Sequence, residues 1–198
     1  MTTTHSEQEI REIVRKTVYQ VVGMTAQGNQ LSPTTENKPS DGETAQQTVA
    51  IGSDHGGIDL KAILKQDLIS LGYQVIDCGT HTKDSVDYPD IARDVAELVA
   101  AGSAWRGVII DGAGIGSCMA ANKVPGVRAA LCYDYATAVN SREHNNANVL
   151  TLGAGMLDIN LAQRILKTWL GTEFGGGRHA RRVDKITAIE QHYLKDGK

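Results

Sequence analysis

Cysteine is scarce in this 198-residue chain, and the three present, Cys78, Cys118 and Cys132, are odd in number with no C-x-x-C spacing. That excludes a disulfide framework and a zinc knuckle, and leaves each as a small apolar filler, with Cys118 set apart because it adjoins a glycine loop. Excess charge is missing too: the formal net charge of -3 is that of no general nucleic-acid binder. No apolar run approaches the roughly 18 residues of a membrane span, and Met1-Thr-Thr-Thr-His-Ser-Glu7 has neither the basic start nor the apolar stretch of a secretory signal. A cytoplasmic protein without metal is the expectation. Two phosphate-binding signatures are absent as well. No G-x-x-x-x-G-K-[ST] occurs. The segment after the first expected strand, Gly52-Ser-Asp-His-Gly56, is not G-x-G-x-x-G, so a dinucleotide enzyme keeps only Asp77 in its favour.

What is present divides at about residue 47. In 1–23, Ile10, Ile13, Val14, Thr17, Val18, Val21 and Val22 recur at helical spacing, Ser6 and Glu9 form a capping box, and Gly23 marks a stop. This predicts an amphipathic helix of about 16 residues, roughly 24 Å long. Residues 24–47 are polar, with Met24 and Leu31 their sizeable apolar side chains. They bury too little to offset ordering entropy and read as a flexible linker. The apolar stripe then needs a surface elsewhere to dock on.

From Thr48 onward, apolar runs at Thr48–Ser53, Tyr73–Cys78, Gly107–Asp111, Val127–Cys132 and Asn148–Leu152 alternate with helical patterns at Ile58–Leu71, Pro89–Ala101, Ser117–Lys123, Asp134–Glu143, Asp158–Gly171 and His179–Lys195. Continuous Val/Ile strands between helices predict a Rossmann-like α/β/α sandwich with a parallel sheet of about five strands over 48–198. In such sheets ligands sit beyond the carboxyl ends of the strands, which directs attention to Asp54, His55 and Asp111.

The stretch Asp111-Gly-Ala-Gly-Ile-Gly-Ser-Cys-Met-Ala-Ala-Asn-Lys123 follows such a run and reads as strand, glycine loop, helix start. Gly112, Gly114 and Gly116 allow the backbone N–H groups to point into one concavity, so the loop is expected to hold a negative charge, standing or developing. Four further motifs accompany it: Ser53-Asp54-His55-Gly-Gly57, Asp87-Tyr88-Pro89, Arg142-Glu143-His144-Asn145, and Gly175-Gly-Gly-Arg178-His179-Ala-Arg181-Arg182.

These five motifs, in this order over about residues 48 to 190, strongly resemble the type B ribose-5-phosphate isomerases and the related galactose-6-phosphate isomerase subunits. The resemblance implies an aldose–ketose isomerase of phosphorylated sugars that needs no metal or organic cofactor. It also implies a homodimer, or a dimer of dimers, with residues of both subunits in each site. Such chemistry requires a base, donors for an enediolate oxygen, a ring-opening pair and a cationic phosphate grip. Asp54 and His144 resemble the ring-opening and proton-handling residues, Asn145 the substrate-positioning amide, and Arg178 and Arg182 the phosphate clamp, with His55 and His179 nearby and Tyr88 among the binding residues. The loop amides from Gly112 to Ser117 would hold the enediolate.

One departure from the family pattern concerns the base. Where many members begin the loop with cysteine this chain has Asp111, and where a subgroup carries glutamate after the loop it has Ser117. Asp111 as a replacement carboxylate, Cys118 as an alternative thiol, and a homologue that binds a sugar phosphate without turnover all stay open, as does a different sugar phosphate. Ala113 stands where threonine is common. The N-terminal helix and linker resemble the encapsulation peptides that bring cargo enzymes into bacterial microcompartments, with residues 7–22 facing a shell protein.

Overall fold

The computed structural model describes residues 47–195. The expected N-terminal helix, and its linker apart from Gln47, lie outside them. Five strands, β1 (Thr48–Ser53), β2 (Gln74–Asp77), β3 (Arg106–Asp111), β4 (Ala129–Leu131) and β5 (Val149–Gly153), form one parallel sheet in the order β2-β1-β3-β5-β4. Six helices accompany them: α1 (Ile58–Ser70), α2 (Tyr88–Ala100), α3 (Ile115–Ala121), α4 (Tyr135–Glu143), α5 (Ile159–Gly171) and α6 (Gly177–Lys195).

Strand periodicity builds the two faces. Val49, Ile51, Val108, Ile110, Leu150 and Leu152 point into one core with Leu64 and Leu68 of α1 and Ile165, Leu166 and Trp169 of α5. Ala50, Ile109 and Val149 point the other way, against Ala92, Val95, Ala96 and Val99 of α2 and Ala121 of α3. Because both faces are covered, the strands read as unbroken apolar runs rather than alternating ones. Asp134 caps α4, accepting from Thr137 N at 2.7 Å while the Thr137 hydroxyl accepts from Asp134 N, and Asp158 caps α5 through Leu161 N at 2.9 Å. Val127–Cys132 shrinks to the three residues of β4, and α3 begins two residues earlier than expected, at Ile115.

Asp77, the residue that a dinucleotide reading would need, is committed to structure. Lys61 is 4% exposed, and its Nζ lies 2.6 Å from Asp77 Oδ1 and 2.8 Å from the Thr80 carbonyl oxygen; Lys65 Nζ lies 2.9 Å from Oδ2. Burial opposes ionisation of Asp77, but the two ammonium groups and the Gly79 amide outweigh it and hold the carboxyl at about 2. A depressed folded value stabilises the fold above the ordinary 3.8, and that contribution is lost as pH falls through about 2. Asp77→Ala therefore destabilises the protein by about 3 kcal/mol near neutrality, because Lys61 stays buried without a counter-charge. Denaturant unfolding of both proteins from pH 7 to pH 2 checks this: the gap should narrow only below pH 4.

Candidate active site

Strand order reverses between β1 and β3, so the crevice beyond their carboxyl ends is the place where this topology leaves room for a ligand. Asp54 and His55 follow β1 there. The Asp54 carboxylate accepts from Gly56 N at 2.9 Å and Gly57 N at 3.1 Å, fixing the turn into α1. His55 Nδ1 accepts from Val86 N at 3.3 Å, which ties the segment before α2 across the crevice. Tyr88 then packs against the glycine loop: a Cβ on Gly116 would sit 2.4 Å from the Tyr88 ring. Gly114 is constrained differently, with φ +77° and β5 backbone 2.9 Å from any Cβ. Gly112 has open space around it, so the three glycines do not share one cause.

The loop amides are not all vacant. Asp111 is 5% exposed, and its Oδ1 accepts from Ala113 N at 2.8 Å and from Gly114 N, while Oδ2 accepts from Ser117 N at 3.0 Å. The anion this loop holds is its own first side chain. Expecting every amide from Gly112 to Ser117 to await an enediolate oxygen thus needs correction: Asp111 folds back over three of them, as short acidic side chains do with nearby backbone donors. The amides of Ile115 and Gly116 have no acceptor among the described residues. Ser117 Oγ is buried without a hydrogen-bond partner. Cys118 turns to the side of α3 facing β4, with Sγ 3.4 Å from the Ala129 carbonyl oxygen.

The remaining candidates gather elsewhere. The rings of His144, just past α4, and His179, in α6, stack with centroids 4.1 Å apart at 7°. The Asn140 amide lies 2.8 Å from His144 Nδ1; with Nδ1 accepting, Nε2 carries the proton of the neutral ring. Asn145 Nδ2 donates to the Asn140 backbone oxygen at 3.2 Å and to its side-chain oxygen at 3.1 Å. Asn140 is the site residue that sequence reasoning missed, although it stands four residues before His144 on the same helix. Arg178 Nε lies 3.4 Å from His179 Nε2, and neither Arg178 nor Arg182 has a carboxylate within 4.0 Å among the described residues. Burial first, then the charge of His144, Arg178 and Arg182, pushes His179 below the ordinary histidine range. This cluster carries positive charge with little to neutralise it.

The two groups stand at opposite ends of the sheet. Helix α4 starts beyond the carboxyl end of β4 and returns to the amino end of β5, so His144 and Asn145 lie below the sheet when Asp54 and Asp111 lie above it. The five residues of β5 separate them by roughly 16 Å at 3.3 Å each. Within one chain His55 thus lies at the Asp111 end of the sheet and His179 at the other. No group of three or more His, Cys, Asp or Glu side chains suited to a metal occurs among the described residues, and no described helix is long and apolar enough to cross a membrane.

Comparison with known proteins agrees with this fold. Residues 49–186 match the Ribose/Galactose Isomerase family. Ribose-5-phosphate isomerase B of Escherichia coli is 44% identical over 143 residues, covering 72% of this chain and 96% of the relative. D-erythrulose-4-phosphate isomerase of Pectobacterium atrosepticum is 41% identical over 144 residues, 72% of this chain and 95% of the relative. The structure of Clostridium thermocellum ribose-5-phosphate isomerase B superposes with a TM-score of 0.73 at 52% identity, covering 74% of this chain and 99% of the other. With a parallel five-strand sheet and a family match over residues 49–186, this chain belongs to the ribose/galactose isomerase family and is an aldose–ketose isomerase.

Proposed function

We propose that the protein interconverts ribose 5-phosphate and ribulose 5-phosphate through an enediolate, at sites completed by a second copy of the chain. The observation that carries this reading is the division of the site: Asp54, His55 and Asp111 at one end of the sheet, the stacked His144 and His179 with Arg178 and Arg182 at the other. A sugar phosphate needs both, and one chain cannot bring them together. A second copy, related by twofold symmetry, sets the lower end of one chain against the upper end of the other. Exposed apolar side chains flank both ends, Ile115, Met119 and Met156 near the loop and Ile186, Ile189 and Tyr193 on α6, a distribution that suits association.

In this reading the partner copy's Arg178 and Arg182 grip the phosphate, their planar forks matching its oxygens, with this copy's His55 and the partner copy's His179 beside it. Asp54 and the partner copy's His144 open the sugar ring, and its Asn145 and this copy's Tyr88 align the open chain. Asp111 takes the proton from C2 and returns it to C1, while the carbonyl migrates from C1 to C2 by proton exchange between the two oxygens. Asp111 Oδ2 accepts one amide, which leaves it a lone pair for that task. The unoccupied amides of Ile115 and Gly116 face the developing oxyanion. Cys118 is the alternative base, set back by its hydrogen bond to Ala129. A coupled assay over tetrose, pentose and hexose phosphates tests the substrate. Highest kcat/KM for ribose 5-phosphate supports the proposal; preference for a tetrose phosphate favours the activity named for the Pectobacterium relative, and tight binding without turnover makes the chain a sugar-phosphate binder.

Residues 7–22 are proposed to dock on a microcompartment shell protein, a reading that rests on the apolar stripe and the polar linker in the sequence. Deleting 1–47 should leave kcat and KM within about twofold, because the matched family region begins at residue 49, and should abolish co-purification with shells. A fusion of 1–47 to an unrelated fluorescent protein should co-purify, and Ile13→Glu with Val18→Glu should prevent it by putting carboxylates on a dry contact. Loss of folding or turnover in the truncated protein would place the segment in the isomerase itself.

A further inference from the structure

Behind the glycine loop stands a side chain that none of the expected motifs contains. Tyr133 follows β4 by two residues, is half-buried, and donates its phenol hydrogen to the Ala113 carbonyl oxygen at 2.5 Å. That carbonyl belongs to the same peptide group as Gly114 N–H, which donates to Asp111 Oδ1. Phenol, peptide and carboxylate thus form one chain of hydrogen bonds, O–H to O=C, then N–H to carboxylate oxygen. Donation to a peptide oxygen polarises its N–H and strengthens the bond made on the far side.

The neighbouring loop carbonyls are held otherwise. Ala154 N donates to the Asp111 carbonyl at 2.8 Å and Gly155 N to the Gly112 carbonyl at 2.9 Å, both backbone contacts from the segment just past β5. Of the three successive carbonyls, 111 to 113, Ala113 alone is secured by a side chain. It is also confined sterically, since a Cβ on Gly153 would stand 2.6 Å from its oxygen. A rotation of this peptide would carry Gly114 N–H away from Asp111.

We propose that Tyr133 is a positioning residue for Asp111, acting through the Ala113–Gly114 peptide; this rests on the reading of Asp111 as the isomerising base. Tyr133→Phe keeps the ring and removes the donor. It should lower kcat for ribose 5-phosphate about tenfold, leave KM within about twofold and leave the circular dichroism spectrum unchanged, as expected when one hydrogen bond that orients a catalytic group is lost. 3-Fluorotyrosine incorporated at position 133 keeps the donor and should keep wild-type kcat, which tests the hydroxyl even if the Phe variant folds poorly. In an Asp111→Asn background, Tyr133→Phe should add no further loss, because the group it positions is gone. Wild-type kcat in Tyr133→Phe, a loss confined to KM, or fully additive losses with Asp111→Asn would each overturn the role of Tyr133 and leave Asp111 as base. Full activity of Asp111→Asn alone would overturn both.

Discussion

Asp111→Asn is expected to lower kcat for ribose 5-phosphate by on the order of 100-fold or more while KM changes little, the pattern of a group that acts in proton transfer rather than in binding. The phosphate grip and the sugar-aligning amide lie on other elements, so affinity does not pass through residue 111. Cys118→Ser is the informative control. A hydroxyl can make the same bond to Ala129 that Sγ makes at 3.4 Å, so the fold is kept, and only a catalytic thiol would be missed. Steady-state kinetics on both variants, with thermal unfolding alongside, decide the matter. An inactive Cys118→Ser beside an active Asp111→Asn would move the base to the thiol.

The second large effect is a recovery of activity. Asp111→Asn homodimers and Arg178→Ala/Arg182→Ala homodimers should each be severely impaired, the first in kcat and the second in KM. Refolded together, or co-expressed, the two chains should regain roughly a quarter of wild-type turnover: random pairing makes about half the dimers mixed, and each mixed dimer holds one site with both halves intact. If each site lay within a single chain, every site in the mixture would carry one of the defects. The mixture would then show no activity above the average of its parents, and the proposed division of the site would fall.

Much of the fold could be read from the sequence because its strands are buried on both sides. Val49 to Ile51 and Val108 to Ile110 announce themselves as unbroken apolar runs, and Val149 to Leu152 as one interrupted by the buried Thr151, with Gly and Asp residues punctuating them. Strand ends were less legible: β4, the edge strand, keeps three residues of the expected six, paired with Val149 to Thr151 of β5. The candidate residues stand in the sequence as motifs and the resemblance implies that two subunits share each site, but the motifs do not say which residue lies at which end of the sheet, although the order of elements contains it. A helix that leaves the carboxyl end of one parallel strand and leads into the next must finish at the other end of the sheet, so His144 could never share an end with Asp111 in one chain. The folding of Asp111 onto its own loop depends on backbone angles that a glycine-rich sequence permits without specifying. Tyr133 was hidden for a different reason. Its partner Ala113 lies 20 residues away, and only the placement of β4 beyond β5 brings the two together.

The opposite-ended arrangement has a consequence for how substrate length is measured. In the proposed pair, the base that works on C1 and C2 belongs to one chain and part of the machinery around it to the other, so the gap that a sugar must span is set by the packing between chains. A substitution at that contact, remote from every residue that touches the sugar, can lengthen or shorten the ruler while each chain keeps its own fold. Selectivity between four-, five- and six-carbon phosphates is then a quaternary property, and variants that change it are to be sought along the seam between the two copies.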